Sequence, residues 1–425
     1  MIQDFFTKYQ DLPKEAILKT DLLRVGVHFT PEALAITKSF KPKSYFIFSF
    51  DRVAQKDLSA AEKHAAPEEI ALIGGPWDFK KTIVSVRLNP ASPYCVDVSG
   101  PDSTQLVLRE NTQVLTEIVL GPIPTYYEKK LTSGKPVIDI APTIEWGYLI
   151  YLTAFRLCQY WGDKEECQFC DINNNYRQQK QEGRSYTGIK GLDETLEALQ
   201  IITDTDAGHT TAYTVTGGAI LTELQGMNEA EFYAQYAEAI EKKFPKRWIG
   251  KAVVQALPVD QVQTLKRAGY QIYHPNYEVW EEKLFNQLCP GKARYVGHGE
   301  WMKRILDSAE VFGPENVIPN FVAGIEMAKP YGYAKPADAV ASTAVGLDYF
   351  MSRCIVPRFT VWCLEPNTAL SPFNEDVVPL DYHLQLLQVY RDTHQKYKLP
   401  VPPGYGEAGV GKAIFSVSAF MDVLG

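Results

Sequence analysis

The chain has 425 residues, of which 45% are hydrophobic and 22% are charged, an ordinary globular composition. Its net charge is −8, and its 43 lysines and arginines are dispersed without a long basic run, which argues against tRNA or DNA as a substrate. There is no secretory pattern, no apolar run long enough to span a membrane and no framework of paired cysteines, so we expect a reducing, cytoplasmic compartment.

Residues 1–140 predict a small accessory unit, β-rich or α+β. Short apolar runs alternate here with turns rich in proline and glycine, which is typical of short strands. The predicted strands lie at 45–50, 82–88, 105–108 and 116–120.

Three cysteines follow the next predicted strand, at 146–155. They are Cys158, Cys167 and Cys170, with eight residues between the first two and two between the last two. A structural zinc ion takes four protein ligands, whereas three thiolates can hold three irons of a cubane 4Fe–4S cluster and leave the fourth iron open. An open metal position indicates an enzyme, so the three cysteines are predicted metal ligands.

From about residue 185, strand-like runs alternate with amphipathic helix-like runs. The strands are predicted at 211–215, 248–257, 270–280, 317–325 and 355–364, and the main helices at 191–202, 227–244, 300–311, 337–350 and 379–397. With the strand at 146–155 they make six strand–helix units, which predict parallel strands in an open, partial (βα)6 TIM-like barrel. Working residues gather at the carboxyl ends of such strands. The predicted domains are therefore 1–140, the barrel at 141–400, and a tail at 401–425 that packs on it.

The ends of these strands carry motifs in a recognisable order. After the cysteine loop come Thr216-Gly-Gly-Ala219, Asn276-Tyr-Glu278, the strand that begins at Asn320, and the strand 356–370. In this order the chain resembles the radical S-adenosylmethionine (radical SAM) superfamily, and within it the biotin-synthase-like barrels, over about residues 145–380. The CX8CXXC spacing departs from the usual three residues in the first gap. Lengthening that loop from three to eight residues costs only roughly 0.9 kcal/mol of closure entropy.

The resemblance implies a fold, a chemistry and a set of ligands. Its 4Fe–4S cluster would bind SAM at the open iron, and reductive cleavage would give a 5′-deoxyadenosyl radical that abstracts hydrogen from a substrate. An electron donor such as flavodoxin or ferredoxin is implied as a partner. The residues that the resemblance assigns to SAM binding are Phe169, Gly217, Gly218, Asn276, Glu278, Gly324 and Leu364. Ala219 stands where the motif has a glutamate.

The substrate is less well defined, and a small molecule is expected from the acidic balance of the chain. Candidate catalytic residues are Cys289, Arg358 and Glu326, of which Cys289 could donate hydrogen, bind a second metal or be an inert buried thiol. Other polar residues near strand ends that could contact a substrate or pair with one another are Glu145, Lys251, Gln255, His274 and Glu365.

Two other interpretations remain open from the residues alone. One is a zinc-dependent barrel hydrolase that uses the three cysteines and a water, with His209 as a possible fourth ligand. The other is a non-catalytic barrel that binds a cluster.

Overall fold

The structure is a computed structural model that describes residues 1–44, 50–181, 188–206, 208–374 and 376–425. The chain opens with helices, which the sequence pattern did not predict. They are α1 (Ile2–Lys8), α2 (Lys14–Val25) and α3 (Pro31–Thr37), with a short strand β1 (His28–Phe29) between the last two. Pro13 lies at the N-cap of α2, and the Thr30 hydroxyl caps α3 by accepting the Ala33 N–H, so turn chemistry marks both helix starts.

A six-stranded sheet follows within the described part of the first 140 residues. After the helix α4 (Ala60–Ala65) its strands are β2 (Glu69–Gly74), β3 (Phe79–Ser85), β4 (Tyr94–Val98), β5 (Leu106–Glu110) and β6 (Gln113–Leu120). The strand order is β1-β4-β5-β6-β2-β3, and every pair except the parallel β1–β4 is antiparallel. The strand predicted at 45–50 lies outside the described residues apart from Phe50.

A second sheet contains six parallel strands among the described residues. After α5 (Val137–Ile140) come the edge strand β7 (Thr143–Ile144) and then β8 (Leu149–Phe155), β9 (Ala212–Gly217), β10 (Ile249–Val254), β11 (Ile272–Glu278), β12 (Asn320–Ala323) and β13 (Arg358–Val361). These strands lie side by side in chain order, from β7 at one edge to β13 at the other. The first parallel strand begins at Leu149 rather than at the predicted 146, because Glu145, Trp146 and Gly147 adopt left-handed turn conformations between β7 and β8.

Helices separate the parallel strands and cover one face of the sheet. They are α6 (Ile172–Gln181), α7 (Leu192–Thr205), α8 (Glu229–Lys243), α9 (Val259–Arg267), α10 (Glu282–Leu288), α11 (Pro290–Tyr295), α12 (His298–Phe312), α13 (Pro336–Met351) and α14 (Leu380–Lys396). The α8 helix shows why they form: Asn228 and Glu231 make a reciprocal capping box at its start. Its apolar side then packs on the sheet, where the rings of Phe232 and Phe155 lie 6.2 Å apart.

The segment after α14 joins the two sheets. The Val361 N–H of β13 donates to Val417 O, and the Ser85 N–H of β3 donates to Ser416 O. The Lys19 ammonium on α2 forms a 2.7 Å ion pair with Asp422, and both side chains are buried. The tail therefore contacts both the barrel sheet and the N-terminal unit.

No helix in the described part of the chain combines the length and apolar character needed to cross a membrane.

Candidate functional site

A cavity of about 240 Å³ lies inside the curve of the parallel sheet. Alternate residues of each parallel strand line it, as the two-residue period of a strand requires. On β9 they are Thr214 and Thr216, and on β10 they are Lys251 and Val253, with Gln255 directly after the strand. The carboxyl ends of the strands form its mouth, and the opposite, closed end reaches the tail.

The three cysteines of the predicted cluster motif all line the mouth of this cavity. Cys158, Cys167 and Cys170 come from the loop between β8 and α6, and each is half-buried. None of them is in a disulfide. Phe169, between the last two, lines the same cavity. One short loop therefore presents three free thiols to one enclosed space.

The thiols differ in their tendency to ionise. Burial raises the pKa of Cys158 to about 12 and raises that of Cys170 well above its ordinary value. Hydrogen bonding with Cys289, assisted by the charge of Lys292, lowers the pKa of Cys167 despite its burial. In the protein without a metal, Cys167 is thus the thiol that ionises most readily.

Asn173, near the start of α6, fixes the conformation of the cysteine loop. Its side-chain oxygen accepts the Cys158 N–H at 2.9 Å, and its amide donates to Cys158 O at 3.2 Å and to Tyr160 O at 2.9 Å. A buried amide that satisfies three backbone groups holds the loop against the helix.

The Gly217-Gly218 pair at the end of β9 packs directly on the same loop. A Cβ on Gly217 would lie 2.3 Å from Phe155 O, and one on Gly218 would lie 1.8 Å from Leu157 O and 2.5 Å from the Cα of Cys158. Both residues line the cavity, but the missing side chain is required here by the backbone of the cysteine loop.

Asn276 and Glu278, the predicted ribose-binding pair on β11, both line the cavity. The Asn276 Oδ1 has no hydrogen-bond partner among the described residues. The Glu278 carboxylate forms a buried 2.5 Å ion pair with Lys292 of α11. Burial opposes the charge of Lys292, yet the attraction of Glu278 and of the nearby Cys167 and Cys289 raises its pKa well above the ordinary value.

Behind the mouth, a second buried carboxyl supports the loops. Glu229 of α8 accepts hydrogen bonds from the Ile220 N–H at 2.7 Å and from the Gln255 side chain at 2.5 Å. The Gln255 oxygen in turn accepts from the Tyr160 hydroxyl at 2.9 Å. Burial raises the pKa of Glu229 to about 7.

The closed end of the cavity holds three charged side chains: Glu145, Lys251 and Arg358. Burial lowers the pKa of Lys251 to about 8, and burial raises the pKa of Glu145 although both cations attract its charge. Tyr405 of the tail lies beneath them, with Lys251 Nζ 4.3 Å from the centre of its ring.

Five of the predicted SAM-binding, catalytic and substrate-contact residues do not line the cavity, and one of them is His274, whose Nδ1 lies 3.0 Å from Ile318 O. Gly324 adopts a left-handed turn, and Glu326 folds back to accept its N–H at 2.8 Å and the Thr343 hydroxyl at 2.8 Å. Leu364 is part of the apolar core, and Cys289 is buried behind Cys167. Their assigned roles stay predictions, and the contacts of Glu326 are those of a residue that stabilises the end of β12.

The sequence reasoning did not single out Lys292, Asn173 or Glu229. Lys292 lies in the Cys289-Pro-Gly-Lys stretch directly after α10, which could have marked it. Asn173 opens a run of three asparagines that begins three residues after Cys170, and Glu229 follows the capping Asn228. None of these signals is specific without the fold.

The fourth zinc ligand considered from the sequence does not reach the cysteines. His209 precedes the first residue of β9, whereas the cysteine loop lies at the carboxyl end of that strand, about 20 Å away at 3.3 Å per residue. Over the described residues, no three histidine, cysteine, aspartate or glutamate side chains converge as the ligands of a single ion would.

No protein-family model matches the chain, and no curated protein matches it in sequence. Solved structures give only distant likenesses. The FeFe-hydrogenase maturase HydG from Carboxydothermus hydrogenoformans aligns at a TM-score of 0.41 and 12% identity, over 59% of this chain and 52% of that one. Methylornithine synthase (PylB) gives 0.40 and 10%, over 62% and 75%. Coproporphyrinogen III oxidase (HemN) from Escherichia coli, described as a radical SAM enzyme, gives 0.35 and 13%, over 59% and 52%. Likenesses this low carry no argument about this chain.

Proposed function

We propose that the chain is a radical SAM enzyme with a biotin-synthase-like barrel, acting on a small molecule. One observation carries the proposal. The three free thiols of a single loop line the mouth of a cavity at the carboxyl ends of six parallel strands, where the described residues Gly217, Gly218, Asn276 and Glu278 also lie.

The donor set fits a 4Fe–4S cluster. Three cysteines would supply one thiolate to each of three irons of such a cluster and leave the fourth iron without a protein ligand. Lys292, which lies close enough to influence the pKa of Cys167, provides a positive charge beside the negative thiolates. Such a cluster would supply the electron for reductive cleavage of SAM, which would give the 5′-deoxyadenosyl radical that abstracts hydrogen from the substrate.

The residues around the mouth have roles in holding SAM. The ring of Phe169 offers an apolar surface beside the cysteines, and Asn276 Oδ1, which has no partner among the described residues, can accept a hydrogen bond from a hydroxyl group. The Glu278 carboxylate accepts hydrogen bonds from the ribose hydroxyls, and the positive charge of Lys292 compensates the negative charge of Glu278. Enclosure by the barrel wall keeps bulk water from the reacting centre.

The reducing electron would come from a separate donor of the flavodoxin or ferredoxin type. The substrate is expected to occupy the part of the cavity below the mouth, where the polar side chains of β10 and β13 lie.

Cluster assembly and SAM cleavage test this proposal. After anaerobic reconstitution, we expect about four iron and four sulfide ions per chain, the content of one cubane cluster. Reduction with dithionite in the presence of SAM should then release 5′-deoxyadenosine, measured by chromatography. In Cys158→Ala, the loss of a ligand should lower the amount of iron retained after gel filtration at least about tenfold.

The matched control is Cys354→Ala, which removes an exposed cysteine remote from the cavity. It should keep both the iron content and the 5′-deoxyadenosine yield. Full iron loading in Cys158→Ala, or a reconstituted protein that holds iron and sulfide but releases no 5′-deoxyadenosine, would contradict the proposal.

A further inference from the structure

The closed end of the cavity, formed by Glu145, Lys251 and Arg358 above Tyr405, has no place in the binding of a cluster or SAM at the mouth. Lys251 lies three residues before Val254, the last residue of β10, so it is about 10 Å below the strand end. Arg358 is the first residue of β13 and lines the cavity at the same closed end.

Lys251 is an ammonium group without a partner. Its side chain is 1% exposed, and its Nζ forms no hydrogen bond or ion pair among the described residues. Its position is fixed by the tail: a Cβ on Gly404 would lie 3.1 Å from Lys251 Cε, and the ring of Tyr405 lies below the charge. A buried ammonium group without a hydrogen bond or ion pair is unfavourable, so the arrangement points to a ligand that supplies the missing partner.

The neighbouring Arg358 and Glu145 side chains also have polar atoms without hydrogen-bond partners among the described residues. The Arg358 Nε and the Glu145 Oε2 are buried without a hydrogen-bond partner in the described part of the chain. The backbone of Glu145 is held in place because its N–H donates a 2.8 Å hydrogen bond to the Glu69 side chain of β2. The two cations and this carboxylate therefore face one space from three different elements.

The net charge of the side chains at the closed end indicates which kind of ligand it can bind. Two cations and one carboxylate leave a single net positive charge, since burial and the repulsion of Arg358 and Lys251 lower the pKa of the adjacent His274 well below its usual value and leave it neutral. A carboxylate carries one negative charge and matches this excess. A phosphate monoester carries about −1.5 to −2 and exceeds it.

Resting on the function proposed above, we propose that the closed end binds the carboxylate of a small organic acid substrate, held by Lys251 and Arg358. The remainder of that acid extends toward the cysteines, along a wall that includes Val253 and Val322. Because Glu145 is itself negatively charged, the site is expected to accept a ligand with a single negative charge.

Direct binding to the full chain, without SAM and without a cluster, tests this inference. We would titrate acetate, butyrate and hexanoate by calorimetry, with hexanamide as the neutral analogue and hexyl phosphate as the dianion. At least one carboxylate should bind saturably, hexanamide should not, and hexyl phosphate should bind more weakly than hexanoate. Lys251→Met should weaken carboxylate binding by at least about tenfold. Lys242→Met, which removes an exposed lysine of α8, should leave it unchanged.

The melting temperature of Lys251→Met is a second measurement, which shows whether the variant is folded. Because Lys251→Met removes a buried unpaired charge and keeps most of the side-chain volume, its melting temperature should equal or exceed that of the parent chain. No saturable carboxylate binding, equal binding to Lys251→Met, or tighter binding of hexanamide or hexyl phosphate would overturn the inference. Since the titration needs neither iron nor SAM, its failure is separate from a failure of cluster assembly or SAM cleavage.

Discussion

Glu229 shows how a single buried residue makes stability depend on pH. Its carboxyl supports the loop after β9 and the Gln255 side chain, and burial raises its pKa to about 7. The unfolded chain releases this proton near the ordinary value of 4.5. Between these two pH values the folded protein holds a proton that the unfolded chain has lost, so the free energy of unfolding decreases as pH rises.

We predict that Glu229→Gln removes this dependence. Relative to the variant, the parent chain should lose up to roughly 3 kcal/mol of unfolding free energy as pH rises from about 4.5 to about 7, after which the difference stays constant. Urea unfolding across this range measures it. Glu238→Gln, an exposed position on the same helix, should keep the pH profile of the parent. Parallel profiles for Glu229→Gln and the parent would contradict this account.

Among individual residues, the cysteines could be predicted from sequence because their spacing is a local signal. Lys292 could not, because its importance comes from Glu278 and Cys167, which only the fold brings near. Lys251 and Arg358 could be nominated from strand positions, but that Lys251 Nζ and Arg358 Nε lack hydrogen-bond partners among the described residues is a property of the folded cavity.

The end of β9 and the cysteine loop behave as one packed unit. Gly218 touches the backbone of Leu157 and Cys158, so the strand end serves as a template for the conformation of the loop. The sequence suggested that the glycine pair leaves room for a ligand. The structure gives a second reason, because the loop backbone occupies the space on the side where a Cβ would point.

We predict that Gly218→Ala disturbs cluster assembly by displacing this loop. Its Cβ would meet Leu157 O at 1.8 Å, a distance that no side chain can tolerate, so the loop or the strand must shift. Iron retained after anaerobic reconstitution should fall by at least about tenfold. The matched control is Gly299→Ala on α12, where a Cβ would meet nothing within 4 Å. It should keep the iron and gain up to about 1 kcal/mol of stability. Normal iron retention in Gly218→Ala would show that the contact does not shape the loop.

The parallel strands and the five main helices were predicted to within a few residues, because alternation in the strands and the helical period are both local, whereas α6, α10 and α11 were not predicted. The helices α1–α3 were missed, since the reasoning weighed strand-like runs and passed over the capping signals at Pro13 and Thr30. The pairing of Ser416 and Val417 with β3 and β13 could not be predicted, because those partners lie far away in the sequence.

At the scale of the whole molecule, buried hydrogen bonds and ion pairs connect the N-terminal unit, the barrel and the tail. Arg87 of the N-terminal unit is fully buried and donates to Leu23 O and to Val361 O of β13. Lys19 donates to Phe415 O and pairs with Asp422. These contacts favour unfolding as a single cooperative unit.

We predict that Asp422→Ala destabilises the protein by about 3–5 kcal/mol, because it leaves Lys19 buried without a counter-charge. Urea unfolding should show one transition shifted to lower urea. The double variant Lys19→Met with Asp422→Ala should recover most of the loss. Lys80→Met removes the exposed ion pair with Asp78 and should leave the midpoint nearly unchanged. An unchanged midpoint in Asp422→Ala would refute the structural importance of the pair.

The position of Tyr405, Phe415 and Val417 beneath the cavity has a consequence for biosynthesis. Translation runs from the amino end, so a nascent chain possesses all three cysteines and all six parallel strands while this pocket is still open underneath. For the cluster proposed above, insertion of iron and sulfide before the ribosome has released residue 417 would leave it open to solvent and oxygen from below. Maturation is therefore expected to be post-translational, and prematurely terminated products should remain colourless.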